Sequence, residues 1–174
     1  TGSIHIYNNY FDGISKYGVG TTMGSSAFVE ANDFRNAKYP MLSSKQGTDA
    51  LGNDIFSGET GGMIKAFNNR VEGAGSLIYA NSDSGTASAS ATEFDAYLAS
   101  SRDELVPDTY QTVAGGTTYN NFDTQKDLGV AASAIDDVNY VRSIVMDNAG
   151  RMDGGDFTWE FDNLVDDTSY AVNQ

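Results

Sequence analysis

The segment "IHIYNNYFDG" at residues 4–13 returns in altered form as "AFVEANDFRN" at 27–36 and as "MIKAFNNRVEG" at 63–73. In each copy, apolar alternation leads into an asparagine, one variable residue and a bulky apolar residue: Asn9 to Phe11, Asn32 to Phe34, Asn69 to Val71. The first two asparagines are 23 positions apart and the second two 37. The longer gap is the same period enlarged by the polar stretch "GTDALGNDIFSGETGG" after Lys45. Self-similarity at a fixed period marks a repeat architecture and constrains the fold before any single residue does.

The period within each copy is two. Ile4 and Ile6 alternate with His5 and Tyr7, as strand residues do, whereas a helix would place its apolar residues three and four apart. Seven to ten residues later each copy has a second strand-like piece: "YGVG" (17–20), "YPML" (39–42) and "SLIY" (76–79). Short strands in turns of this length, with Gly, Asn and Ser at the bends, predict an all-β fold, a right-handed parallel β-helix over residues 1–80. Asn9, Asn32 and Asn69 are then expected to form a ladder that satisfies backbone groups of neighbouring coils, with Phe11, Phe34 and Val71 stacked inside.

The rest of the chain reads differently. Residues 1–80 hold 7 acids and 6 bases, residues 81–174 hold 17 acids and 4 bases, and the whole carries a formal charge of -14. Such a field repels nucleic acid and anionic lipid, so neither is an expected partner, and no apolar run is long enough to span a membrane. Cysteine is absent, which excludes disulfides, thiolate metal sites and a cysteine nucleophile. Beyond residue 80 the strand pattern stops, and residues 81–94 read as an extended excursion across the outside. Residues 133–150, with Ile135, Val138, Val141 and Val145 three or four apart, acids in the first turn and Gly150 as a stop, predict one amphipathic helix. The region 81–174 is thus an irregular acidic extension expected to pack on or cap the coils, since an open terminal coil leaves a strand edge to protect. With no capping element before Ile4, the chain is expected to be the C-terminal portion of a longer β-helix whose N-terminal half is its partner.

"GSIHIYNNYF" (2–11), "YGVG" (17–20), "FVEANDF" (28–34), "YPML" (39–42) and the helix ending "NAG" (148–150) together resemble the pectate lyases of polysaccharide lyase family 1. "PMLSSKQGTD" (40–49) is similar to the form found in bacterial polysaccharide degraders. The resemblance implies cleavage of polygalacturonate, the pectin backbone, by calcium-dependent β-elimination in a secreted, periplasmic or cell-surface enzyme. An arginine acts as base in that family, within an Arg-x-Pro-x-x-Arg motif just before the segment matching "GSIHIYNN", and the calcium ligands come earlier still. The resemblance therefore implies no catalytic or metal-binding residue in this chain, which alone is expected to be inactive. At Thr21 and Thr22 relatives often carry an arginine thought to contact substrate, and a hydroxyl cannot supply its bidentate hold on a carboxylate.

Within the chain, Lys45 and Gln46, and one bend earlier Lys38 and Arg35, are the candidates for holding an anionic sugar polymer, with Lys16 a further base. His5, the single histidine, is expected to pack or bond structurally rather than act as acid or base. Residues 81–85 and 152–157 are acidic, but neither has the ligand spacing of an EF-hand loop. The alternative function is a non-catalytic β-helix, a polysaccharide-binding or adhesin segment in which the repeat is scaffold only.

Overall fold

A computed structural model describes residues 2–21, 25–43, 62–81, 94–110 and 129–149. Its strands are β1 Ser3–Tyr7, β2 Tyr10–Asp12, β3 Tyr17–Gly20, β4 Ser26–Glu30, β5 Asp33–Arg35, β6 Tyr39–Leu42, β7 Met63–Phe67, β8 Arg70–Glu72 and β9 Tyr97–Leu98, and its helix is α1, Val138–Asn148. The chain deals these strands out in rotation. A first sheet is ordered β1-β4-β7-β9, a second β2-β5-β8 and a third β3-β6, and every pairing is parallel. The architecture is all-β with parallel pairing and one helix, as the alternation and the period predict at that level.

Equivalent residues of the repeat lie side by side. Phe11, Phe34 and Val71 are register partners in the second sheet, and the rings of Phe11 and Phe34 stack with centroids 4.6 Å apart. The core lies between the sheets, where Val19, Ala27, Val29, Phe34, Met41, Ile64, Ala66, Leu77 and Ala96 are buried against one another. Alternation in β4 and β7 sends Ala27, Val29, Ile64 and Ala66 inward and leaves Phe28, Glu30, Met63 and Lys65 on the opposite face.

The asparagines tie the tiers together at the corner between the first and second sheets. Asn32 Oδ1 accepts from the backbone N–H and side-chain amide of Asn9, both at 3.0 Å, and Asn69 Oδ1 accepts the same pair from Asn32 at 2.9 and 3.1 Å. The Asn32 amide also donates to the carbonyls of Ile6 and Glu30, and that of Asn69 to Val29. Asn8, Ala31 and Asn68 take positive φ immediately before these positions, and Gly13, Asn36 and Gly73 do so at the next corner. The second of these corners is tight: a Cβ on Gly73 would stand 2.3 Å from Asn36 Oδ1.

Three expectations need correction. Residues 76–79 form no strand. Gly75 and Ser76 still donate to the carbonyls of Ala37 and Lys38, but Ile78 turns to another partner: its N–H donates to the Asp95 carboxylate and its carbonyl accepts from Asp95. The pattern also does not stop at residue 80, because β9 pairs with β7 and extends the first sheet by one strand. Finally, α1 is shorter than 133–150. Asn8 holds Asp136 from both sides, Oδ1 accepting its N–H at 2.8 Å and Nδ2 donating to its carbonyl at 3.0 Å. Helix geometry therefore begins only after Asp137, which caps the Asn139 N–H from outside the first turn. Ala132–Ala134 form a separate 3-10 turn, and Gly150 lies outside the described residues.

Residues beyond the repeats cover two sheets from outside. Phe94, Tyr97, Ala99 and Val106 form a second apolar cluster with Met63. Helix α1 lies over β2 and β5, with Val138 and Val141 buried.

Candidate functional site

Two buried carboxylates organise these covers. Glu30, at the end of β4, accepts from His5 Nε2 at 2.8 Å and from Arg102 Nε at 2.9 Å, one donor on each oxygen. Burial alone would raise its carboxyl, but the hydrogen bonds from His5 and Arg102 outweigh it and hold the group below the usual carboxylate range. His5 stacks on Phe28, with ring centroids 4.9 Å apart. Beside them Lys65 Nζ lies 4.7 Å from the centre of the Phe28 ring and donates to the Arg102 carbonyl. Burial drives the Lys65 ammonium downward from its ordinary value, against the opposing pull of Asp103, Glu104 and Glu30.

Asp33, on β5, is the second. Its side chain is fully buried and receives Arg142 of α1 through both Nε and Nη2 at 3.0 Å. Arg142 also reaches Glu72 at 3.0 Å and stands 5.2 Å from the centre of the Tyr10 ring. Tyr10 donates to Asp12, and burial, then that bond, push its hydroxyl up to about 12.

The two central carboxylates, Glu30 and Asp33, are buried and brace the covers, while Glu72 stays exposed at the rim of the second network. Among the described residues no group of three or more His, Cys, Asp or Glu could hold a metal ion, and no helix is long and apolar enough to cross a membrane.

The bases singled out in the sequence do not converge on one spot. Arg35, on the second sheet, faces Asp12 at 3.4 Å. Lys38 lies at the entry to the third sheet, its ammonium 5.4 Å from the centre of the Tyr39 ring. Lys16 is exposed at the equivalent point one tier away, where its carbonyl accepts the Tyr39 N–H. Lys45, Gln46 and Thr22 lie outside the described residues, as do 82–85 and 152–157. Asn81 is committed to Leu98 through both ends of its amide. Thr21 is buried, so it could not substitute for a substrate-facing arginine.

The start of the third sheet brings aromatic and basic residues together. Tyr17 and Tyr39 are register partners on adjacent strands, Tyr17 is 37% exposed, and Lys16 and Lys38 precede them in sequence. Strands set about 4.8 Å apart bring Tyr17 and Tyr39 side by side, with the Lys38 ammonium beside the Tyr39 ring. Aromatic surface suits the apolar face of a sugar ring and ammonium suits a uronate carboxylate.

Sequence reading missed the two carboxylate nodes. The Asp12 and Arg35 pair was accessible from the 23-residue period, and Asp33 with Arg70 from the 37-residue spacing. Arg102 and Arg142 come from the half without a repeat, where no spacing announces them.

The chain is 40% identical over 65 residues to a pectate trisaccharide-lyase of Bacillus licheniformis, a match covering 36% of this chain. A second pectate trisaccharide-lyase from the same species matches to the same extent. The matched stretch is only 19% of the length of those relatives. No family model matches the chain and no solved structure matches it. What the comparisons establish is a local likeness to pectate trisaccharide-lyases, carried by a chain of parallel, rotating strands.

Proposed function

We propose that this chain forms coils of a right-handed parallel β-helix in a pectate lyase that cleaves polygalacturonate. The observation that carries the reading is the local likeness to pectate trisaccharide-lyases, and the rotation of parallel strands through three sheets supports it. In the proposed elimination a base takes the proton at carbon 5 of a galacturonate unit. The electron pair left behind forms the bond between carbons 4 and 5, and the glycosidic oxygen departs from carbon 4.

His5 and Lys65 are held in buried contacts, so neither is assigned as the base. We assign the base and the calcium ligands to coils preceding β1, whose edges in all three sheets are open to further pairing. The contribution of this chain is to hold the polymer, with Tyr17 and Tyr39 against sugar rings and Lys16 and Lys38 toward carboxylates. Lys45 and Gln46 follow β6 in sequence and belong to the same proposal. A secreted, periplasmic or cell-surface location follows from a polymeric substrate.

The test is to incubate a protein containing both this chain and its preceding coils with polygalacturonate and calcium, and to follow the ultraviolet absorbance of the unsaturated product. A calcium-dependent rise supports the lyase. Retention of the folded protein on polygalacturonate without product supports a binding module instead.

A further inference from the structure

Two glycines of β3, Gly18 and Gly20, stand in a strand, where glycine has no side chain to pack and costs stability. Neither takes a positive φ, so the backbone conformation requires glycine at neither position. Their surroundings separate them. A Cβ on Gly18 would stand 2.8 Å from the Pro40 carbonyl oxygen and 3.0 Å from Phe34 Cε1, so Gly18 lets the adjacent strand and the core close up. Around Gly20, among the described residues, the three atoms nearest to such a Cβ all belong to one ring: Tyr17 Cε2 at 2.7 Å, Cδ2 at 3.0 Å and Cζ at 3.4 Å. Gly20 is exposed and Tyr17 is 37% exposed, so this contact is made at the surface and not in the core. The phenol is folded back over its own strand, with one edge in the place where a side chain at position 20 would begin.

The neighbouring strand shows the contrast. Tyr39 is paired with Tyr17 and Leu42 with Gly20, so β6 carries a side chain where β3 has none, and Tyr39 has no equivalent seat. Its ring has the Lys38 ammonium 5.4 Å from its centre instead. A tyrosine on a strand surface otherwise samples several rotamers, and stilling it on binding costs affinity. A ring that is already seated loses less.

We propose that Gly20 is a positioning residue for polymer binding: by carrying no side chain it seats the Tyr17 ring against β3 as a preformed platform for the apolar face of a uronate ring. The inference deepens the polymer-holding role proposed for Tyr17 and rests on it. Gly20 acts through Tyr17, and a methyl group at position 20 displaces the platform without touching the strand pairing.

Since the backbone does not require glycine at this position, Gly20→Ala should fold with a denaturant midpoint no lower than the parent's, the clash being relieved as the Tyr17 ring swings away. Affinity electrophoresis of the full chain through gels containing polygalacturonate reads the consequence in a cycle of Gly20→Ala, Tyr17→Ala and the double variant. Gly20→Ala is expected to weaken retention by about threefold, as loss of part of an aromatic contact predicts, and to have no further effect once Tyr17 is replaced by alanine. In a Tyr17→Phe chain, which keeps the ring, Gly20→Ala should weaken retention again. Parental retention of Gly20→Ala beside a weakened Tyr17→Ala overturns the proposal. So does an additive loss in the double variant, or a loss that tracks a lowered unfolding midpoint. If Tyr17→Ala itself is retained like the parent, the polymer-holding reading of this edge fails and takes the proposal with it, so the two failures are told apart by the Tyr17 variant alone.

Discussion

Arg142 of α1 holds both carboxylate oxygens of Asp33, at 3.0 Å each, although the two residues are 109 positions apart and the Asp33 side chain has no exposed surface. Among the described residues, the other cation facing Asp33 is Arg70, at 3.9 Å. Arg142→Ala strands a buried charge and should destabilise the protein by about 3 kcal/mol. Arg142→Lys should recover only part of this, because an ammonium cannot make the paired contact. Denaturant unfolding of the two variants measures the difference.

Asn32 is the middle member of the corner ladder and both accepts and donates across tiers. Asn32→Ala should cost about 3 kcal/mol, because several buried partners lose their bonds together. Asn9, at the open end, is exposed, and Asn9→Ala should cost roughly 1 kcal/mol. Thermal melts of the two variants in parallel test the ranking.

These two contacts also mark what a reader of the sequence could see. The ladder was visible because Asn9, Asn32 and Asn69 recur at the strand period, and a repeat places equivalent residues in contact without any knowledge of the rest. Parallel pairing, the stacking of Phe11 on Phe34 and the inward row of small and branched residues follow from that same rule. Arg142 and Arg102 were not visible: each docks once, across a long sequence separation, onto a carboxylate whose neighbours look like ordinary surface. Nor was the late start of the helix, since Asp136 is held by Asn8, a contact that exists only after the sheets have formed. The rings of Tyr17 and Tyr39 adjoin Lys16 and Lys38 in the sequence, but only their register pairing sets the two rings side by side.

Gly73 has φ +69 and faces Asn36 Oδ1 at the second corner. Gly73→Ala combines a left-handed side chain with a clash and should cost about 2 kcal/mol or more. Asn36→Gly in the same chain removes the obstructing amide, so the double variant should recover the steric part of the loss. A double-mutant cycle by denaturant unfolding separates the two.

Stability should fall at both ends of the pH scale. The Glu30 carboxyl lies below its unfolded value of 4.5. Its contribution is therefore fully present above that value and is lost as pH drops through the lower folded one. Tyr10 and Tyr79 move the other way, each pushed up from 10.0 to about 12, chiefly by burial. Their contribution is present below pH 10 and fades as pH rises toward 12. Melting temperature against pH should show a plateau between the two, and Glu30→Gln should flatten the acid limb while leaving the alkaline one.

If the third-sheet edge holds uronate, Lys38→Ala and Tyr17→Ala should each weaken retention on polygalacturonate by about threefold to tenfold, as a single cation or stacking contact of about 1 kcal/mol predicts. Retention on a neutral glucan should not change. Affinity electrophoresis through gels containing either polymer makes the comparison, and Arg35→Ala, which faces Asp12, should behave like the parent chain.

The step from β4 to β7 spans 37 residues where the step from β1 to β4 needs 23, yet Ser26 meets Met63 and Glu30 meets Phe67 in unbroken register. The longer step between β6 and β7 is therefore accommodated without a slip in the β4–β7 pairing. An engineer could graft a recognition segment into that step and read its tolerance from the same register.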